Sequence, residues 1–128
     1  MVNKAVYHIL KNDSTLQSIL GNNIFPVVME EETKAPCLVF TRDSLTPVYD
    51  KSGAVVDENA VSVLMFAKSY TESIEIVDAV RTALELKKGS FNGVQIISSR
   101  IEKGDEGFDL ESATFWQQLT FQIKTSKI

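Results

Sequence analysis

Residues 60–86 constrain the fold most, because they join an alternating apolar segment to a helix-start signal and a long amphipathic segment. Apolar side chains recur at a period of two over residues 60–67, which predicts a β-strand with one apolar face. Ser69 and Glu72 have the spacing of a capping box, in which the serine hydroxyl accepts from the amide three residues on. A helix is therefore expected over residues 70–86, with its apolar face packed against a sheet.

One strand pair is expected before this helix and another after it. The first begins near Pro36, and its turn-rich connection over residues 43–58 predicts a long projecting hairpin. The second covers residues 94–124, and its acidic, glycine-containing part over residues 102–112 is expected to be an exposed loop. One face of the last strand is predicted to be buried, and it carries Phe115, Gln117, Leu119, Phe121 and Ile123.

The N-terminal part predicts two short helices. The first covers residues 2–11, and the second starts at a capping-box spacing from Ser14 and stops before Gly21. The segment after them, residues 24–28, fits a short strand that its proline restricts to a sheet edge. The expected fold is α+β in a single domain of residues 1–128. It is a mostly antiparallel four-stranded sheet of two hairpins, with a long central helix and short N-terminal helices packed on it.

Composition excludes several classes of function. The net charge is −4 and the Lys and Arg residues do not cluster, which argues against tight nucleic-acid binding. No apolar run approaches the roughly 18 residues that a membrane-spanning helix needs, and the N-terminus lacks the apolar core of a signal peptide. We therefore expect no membrane partner and a protein that is intracellular where it is made.

The residues that carry catalysis in other proteins lack the required partners here. His8 is the only histidine, Cys37 is the only cysteine, and no Gly-x-Ser-x-Gly motif occurs. Cys37 lies in an apolar segment, where a free cysteine commonly acts as a small buried hydrophobe. The acidic runs match neither a glycosidase pair nor a calcium loop. The sequence predicts no catalytic residue, no cofactor and no metal site, and so no enzyme.

Apolar side chains also occupy the second face of two strands. On the last strand, Trp116 is on the face opposite Phe115. On the strand of residues 60–67, Leu64 and Phe66 are on the face opposite the predicted core face. An outward-facing tryptophan among polar residues is typical of interface centres. Two interpretations stay open: Trp116 is a contact residue, or the N-terminal helices or Phe25 cover it.

The order of elements resembles the tail-completion proteins of long-tailed bacteriophages, which are also described as tail-to-head joining or tail-terminator proteins. The most characteristic part is a strand that ends in an aromatic residue, a Lys-Ser-Tyr turn, and a helix with Val-Arg-x-Ala-Leu. The segments that carry the resemblance are residues 16–20, 24–26, 35–40, 61–66, 67–72 and 76–84.

The resemblance implies a homo-oligomeric ring, commonly of six copies, that ends the tail tube and joins it to the head connector. Its partners would be the tail tube protein and the head-connector protein. It would be found in the host cytoplasm during assembly and then in the virion, at the tail–head junction. The expected contact residues are Trp116, Leu64, Phe66, Pro47, Val48 and Tyr49. The alternative is a small non-catalytic adaptor that binds a peptide at an exposed sheet edge or face.

Overall fold

The computed structural model describes residues 1–127, which form three helices and six strands. The helices are α1 (Val2–Asn12), α2 (Ser14–Leu20) and α3 (Tyr70–Leu84). The strands are β1 (Ile24–Pro26), β2 (Cys37–Asp50), β3 (Gly53–Ala67), β4 (Gly89–Phe91), β5 (Val94–Asp109) and β6 (Thr114–Ser126).

All six strands belong to one mixed sheet in the order β1-β2-β3-β6-β5-β4. The sheet curls into a half-barrel. Strand β1 runs parallel to β2, and every other neighbouring pair is antiparallel. The two long hairpins, β2–β3 and β5–β6, are joined side by side through β3 and β6, and their turns point to opposite ends of the sheet.

The expected four-stranded sheet with a long central helix is wrong. The sheet has six strands because β1 and β4 add an edge strand on each side, and each of these is only three residues long. The short edge strand expected over residues 24–28 is confirmed as β1, although the expected sheet did not include it. Strand β4 was not expected, because three residues are too few to show a period of two in the sequence. Helix α3 lies against one face of the sheet and is shorter than the two hairpins, so it is not the centre of the fold.

The second hairpin is also longer than expected. Residues 102–109 belong to β5 and pair with β6 as far as Asp109 and Thr114, so the expected loop is a strand. Glycines and carboxylates disfavour strands locally, but the ladder to β6 supplies the backbone hydrogen bonds that hold this segment extended. The long hairpin predicted over residues 43–58 is confirmed, because β2 and β3 pair up to Asp50 and Gly53.

One face of the sheet is covered by the helices. Its buried side chains include the alternating residues of β3 and β6, as the sequence predicts, although Phe115 is only half-buried. The fully covered apolar residues among them are Val61, Val63, Met65, Ala67, Phe121 and Ile123. The opposite face, which we call the open face, carries Val39, Leu64, Phe66, Trp116 and Gln118.

Side-chain caps fix where two helices begin. Ser69 Oγ accepts a hydrogen bond from the Glu72 amide at 3.1 Å, which confirms the predicted start of α3. The predicted cap of α2 is wrong: Asp13 Oδ2 accepts from the Leu16 amide at 3.0 Å, so the N-cap is Asp13 and not Ser14. Both residues are good caps, and the extended backbone of Asp13 decides between them.

Candidate functional site

The single histidine is exposed, and the single cysteine is buried. His8 is on the exposed side of α1, where its backbone carbonyl accepts from Asn12 Nδ2 at 2.8 Å. Cys37 is buried in β2, and this burial raises the pKa of its thiol. Within residues 1–127, no three histidine, cysteine or acidic side chains come together as a possible metal site. None of the helices in this range has both the length and the apolar character needed to span a membrane.

Three of the expected contact residues come together on the open face. Phe66 and Trp116 are register partners across β3 and β6, and Leu64 is opposite Gln118 on the same two strands. Together they line a shallow depression of about 390 Å³. We define the depression by its lining residues: Leu64, Phe66, Phe108, Asp109, Trp116 and Gln118.

The depression is open to solvent on the side away from the helices. The N-terminal helices and Phe25, which the sequence left as possible covers of Trp116, are not among its lining residues. Phe25 is in β1, where it pairs with Val39 at the far side of β2. Trp116 is half-buried, and its burial comes from the sheet itself.

Gly107 is the cross-strand neighbour against which Trp116 packs. It is the register partner of Trp116 across β5 and β6, and a Cβ atom on residue 107 would come within 2.5 Å of Trp116 Cζ2. The indole therefore packs directly against the glycine. Sequence reasoning missed Gly107 because it placed this segment in a loop. The available signal was a glycine inside a strand, which often marks the close approach of another group.

Aromatic and charged contacts support the same end of the sheet from the helix side. The Phe108 ring centroid is 4.8 Å from that of Phe115, and the Phe115 centroid is 6.0 Å from that of Tyr70. The Tyr70 hydroxyl donates to the two oxygens of the Glu106 carboxylate at 3.0 and 3.1 Å. This hydrogen bond raises the pKa of Tyr70. These contacts tie β5 and β6 to the start of α3 on the face opposite the depression.

The other three expected contact residues form a separate patch at the end of the β2–β3 hairpin. Pro47 is half-buried, whereas Val48 is 40% exposed and Tyr49 is 68% exposed. We define the hairpin tip as Val48, Tyr49 and Lys51. Asp50 folds back into the turn, where its Oδ1 accepts from the Ser52 amide at 2.7 Å and the Ser52 hydroxyl at 2.6 Å. Both bonds lower the pKa of Asp50.

The structure thus divides the six expected contact residues into two groups. Tyr49 pairs with Ala54 near the start of β3, whereas the depression includes Phe66 near the end of the same strand. At about 3.3 Å per residue, these two points on β3 are roughly 40 Å apart. The hairpin tip and the depression are therefore at opposite ends of the molecule.

Comparison with known proteins identifies the family. Residues 4–126 match the family model described as tail completion protein gp17. A chain from a structure titled "Virion of native gene transfer agent (GTA) particle" is similar in fold, with a TM-score of 0.76 at 18% sequence identity. The match covers 95% of this chain and 92% of that chain. No curated protein matches the sequence. Because the family match covers nearly the whole sequence, the resemblance is confirmed and the chain belongs to the tail completion protein gp17 family.

Proposed function

We propose that this chain is a structural protein of virion assembly that forms a ring, caps the phage tail tube and joins it to the head connector. The observation that carries the proposal is the family match over residues 4–126. The copy number of six, the assembly in the host cytoplasm and the final position at the tail–head junction are those that the resemblance implies.

Two features of the chain support an assembly role. The open face carries Leu64, Phe66 and Trp116 on a sheet whose helices all pack on the other side, so apolar area is left for a partner. The β2–β3 hairpin also presents Val48 and Tyr49 to solvent at its end. We propose both groups, together with Pro47, as contact surfaces of the assembled ring.

A tube-capping assay tests this proposal. Purified chain is added to tail tubes assembled without it, and tube ends are examined by negative-stain electron microscopy before and after heads are added. We expect an extra disc of density at one end of each tube, no further growth of that end, and attachment to heads. Tubes that grow and stay unattached in the presence of the chain would contradict the proposal.

A second candidate function follows from the edge of β2. Strand β1 pairs only with Leu38, Val39 and Phe40, so along the described chain the remainder of β2 has no strand on its outer side. Such an edge is the site that a peptide-binding adaptor uses for strand addition. Capping of isolated tubes favours the ring. Selection of an extended peptide by the chain, with no effect on tubes, favours the adaptor.

A further inference from the structure

We propose that the depression of one copy is occupied by the hairpin tip of a second copy. The inference rests on the proposed function, because it assigns the contact by which neighbouring copies recognise each other.

The tip and the depression of one chain are too far apart to touch, so a contact between these two patches joins two molecules. The two patches are roughly 40 Å apart along β3, and the β2–β3 ladder continues to the turn, which keeps the hairpin extended. The tip therefore cannot fold back into its own depression. Two different patches at opposite ends of one chain allow head-to-tail contacts, which form a ring where the rotation between successive copies closes.

The two patches match in chemistry. The tip offers an aromatic and an aliphatic side chain, Tyr49 and Val48, and the depression presents the aromatic side chains of Phe66 and Trp116. Aromatic rings packed edge-to-face or offset attract each other beyond the gain from the apolar area that they bury. Tyrosine and tryptophan are also the residues that most often dominate interface energies.

Charge also matches between the two patches. Lys51, beside Tyr49, forms no ion pair with any residue in the described range 1–127. Asp109 lines the depression and accepts only from the Ser112 hydroxyl at 2.7 Å and the Glu111 amide at 3.3 Å, so its charge has no cation beside it. Insertion of the tip brings the ammonium of Lys51 toward this carboxylate.

The receiving surface is already formed in the single chain. The indole of Trp116 packs directly against the backbone of Gly107, and the side chain is half-buried in the single chain. On the opposite face of the sheet, Phe108 packs against Phe115 with 4.8 Å between ring centroids, which holds β5 and β6 together at this end. A rigid surface loses little side-chain entropy on binding, which favours association.

Tryptophan fluorescence tests the contact directly, because Trp116 is the only tryptophan in the chain. In a dilution series of the wild-type protein, we expect the emission of Trp116 to shift to shorter wavelength as concentration rises and the indole loses water. The mass measured by sedimentation should rise over the same range. Tyr49→Ser should weaken self-association at least tenfold and move the shift to correspondingly higher concentration. Leu86→Ser is the matched control, because Leu86 is similarly exposed at 74% and lies outside both patches.

A mixing experiment tests which patch meets which. Tyr49→Ser damages the tip and keeps the depression, whereas Leu64→Lys puts a cation in the depression and keeps the tip. Each variant alone should be monomeric where the wild type associates, and an equal mixture should form dimers. Lys51→Glu should weaken association, and combining it with Asp109→Lys should restore it. Lys51 is exposed and Asp109 is half-buried outside the core, so this charge exchange does not depend on the folding of Leu64→Lys.

The outcomes separate this inference from the proposed function. Emission of wild-type Trp116 that does not change up to about 1 mM, or a shift that Tyr49→Ser leaves unaltered, would overturn the inference. Tubes capped by a ring in which Trp116 keeps its monomer emission would overturn it as well, while the proposed function stands. Association that follows every expectation, with tubes left uncapped, would support the contact and count against the proposed function.

Discussion

The indole of Trp116 and the backbone of Gly107 are in direct contact across β5 and β6. A Cβ atom on residue 107 would come within 2.5 Å of Cζ2, 2.6 Å of Cε2 and 2.8 Å of Nε1 of the indole. These distances are far below a normal contact, so only glycine at this position leaves room for the ring. The shape of the depression therefore depends on a residue that has no side chain.

Replacing this glycine should displace the tryptophan. In Gly107→Ala the added methyl group forces the indole away from β5, which should lower the free energy of unfolding by about 1–3 kcal/mol, as for other overpacked sites. The displaced ring gains water, so its emission should move to longer wavelength. Urea unfolding and the fluorescence of the dilute monomer measure the two effects.

Gly104→Ala is the control for this prediction. Gly104 lies three residues earlier on β5, and its added Cβ would be 3.1 Å from Leu119 Cδ2, on the helix-covered face. The change should cost less stability and leave the emission of Trp116 where it is. If both variants shift the emission equally, the effect comes from loosening of β5 and not from the contact with the indole.

The long, periodic elements were predictable from the sequence. Period-two patterning identified the buried faces of β3 and β6, and the cap at Ser69 identified the start of α3. Strand β1 was predictable as an edge strand, whereas β4 and the second half of β5 were not predicted. Strand β4 is only three residues long, and the second half of β5 is held extended by its ladder to β6 although its local composition favours a loop.

The candidate site was predictable only in part, for a related reason. Alternation along single strands placed Leu64, Phe66 and Trp116 on a second face, but it says nothing about which residues are adjacent across strands. The registers of β5 with β6 and of β3 with β6 bring Gly107 and Phe66 to either side of Trp116. Register depends on tertiary pairing, so the platform beneath the indole could not be found from the sequence pattern.

The cap of α2 gives a stability prediction. Asp13 accepts from the Leu16 amide, so Asp13→Ala should lower the free energy of unfolding by about 1 kcal/mol. Ser14 is exposed in the first turn and caps nothing, so Ser14→Ala should change it by less than about 0.5 kcal/mol. Chemical unfolding of the two variants gives both values. A larger loss of stability in Ser14→Ala than in Asp13→Ala would mean that Ser14 is the N-cap, as the sequence suggests.

Titration of Tyr70 should depend on Glu106. The phenol donates to this carboxylate, and the hydrogen bond raises the pKa of Tyr70 above its usual value of about 10. Because the folded pKa is raised, the stabilisation is fully present below about pH 10 and is lost as pH rises through the folded pKa. Tyrosinate absorbance, measured as the difference between the wild type and Tyr70→Phe, reports this pKa.

Glu106→Gln should lower the pKa of Tyr70 back toward about 10, because the amide carries no charge to oppose ionisation. Glu111→Gln serves as the control, since Glu111 belongs to the same hairpin but makes no hydrogen bond with Tyr70. An unchanged Tyr70 titration in Glu106→Gln would show that the hydrogen bond to Glu106 does not form in solution.

Val27 is held in an unfavourable backbone conformation, and relieving it should stabilise the protein. Its φ is +66°, a region that costs a β-branched residue about 1–3 kcal/mol. Its side chain is 65% exposed, so little apolar burial offsets this cost. Val27→Asn should therefore raise the free energy of unfolding by about 1 kcal/mol, because asparagine tolerates positive φ. Val28→Asn is the control: Val28 is 73% exposed but is not among the positive-φ residues, so it should show no gain. Equal effects of the two substitutions in urea unfolding would mean that Val27 is not strained.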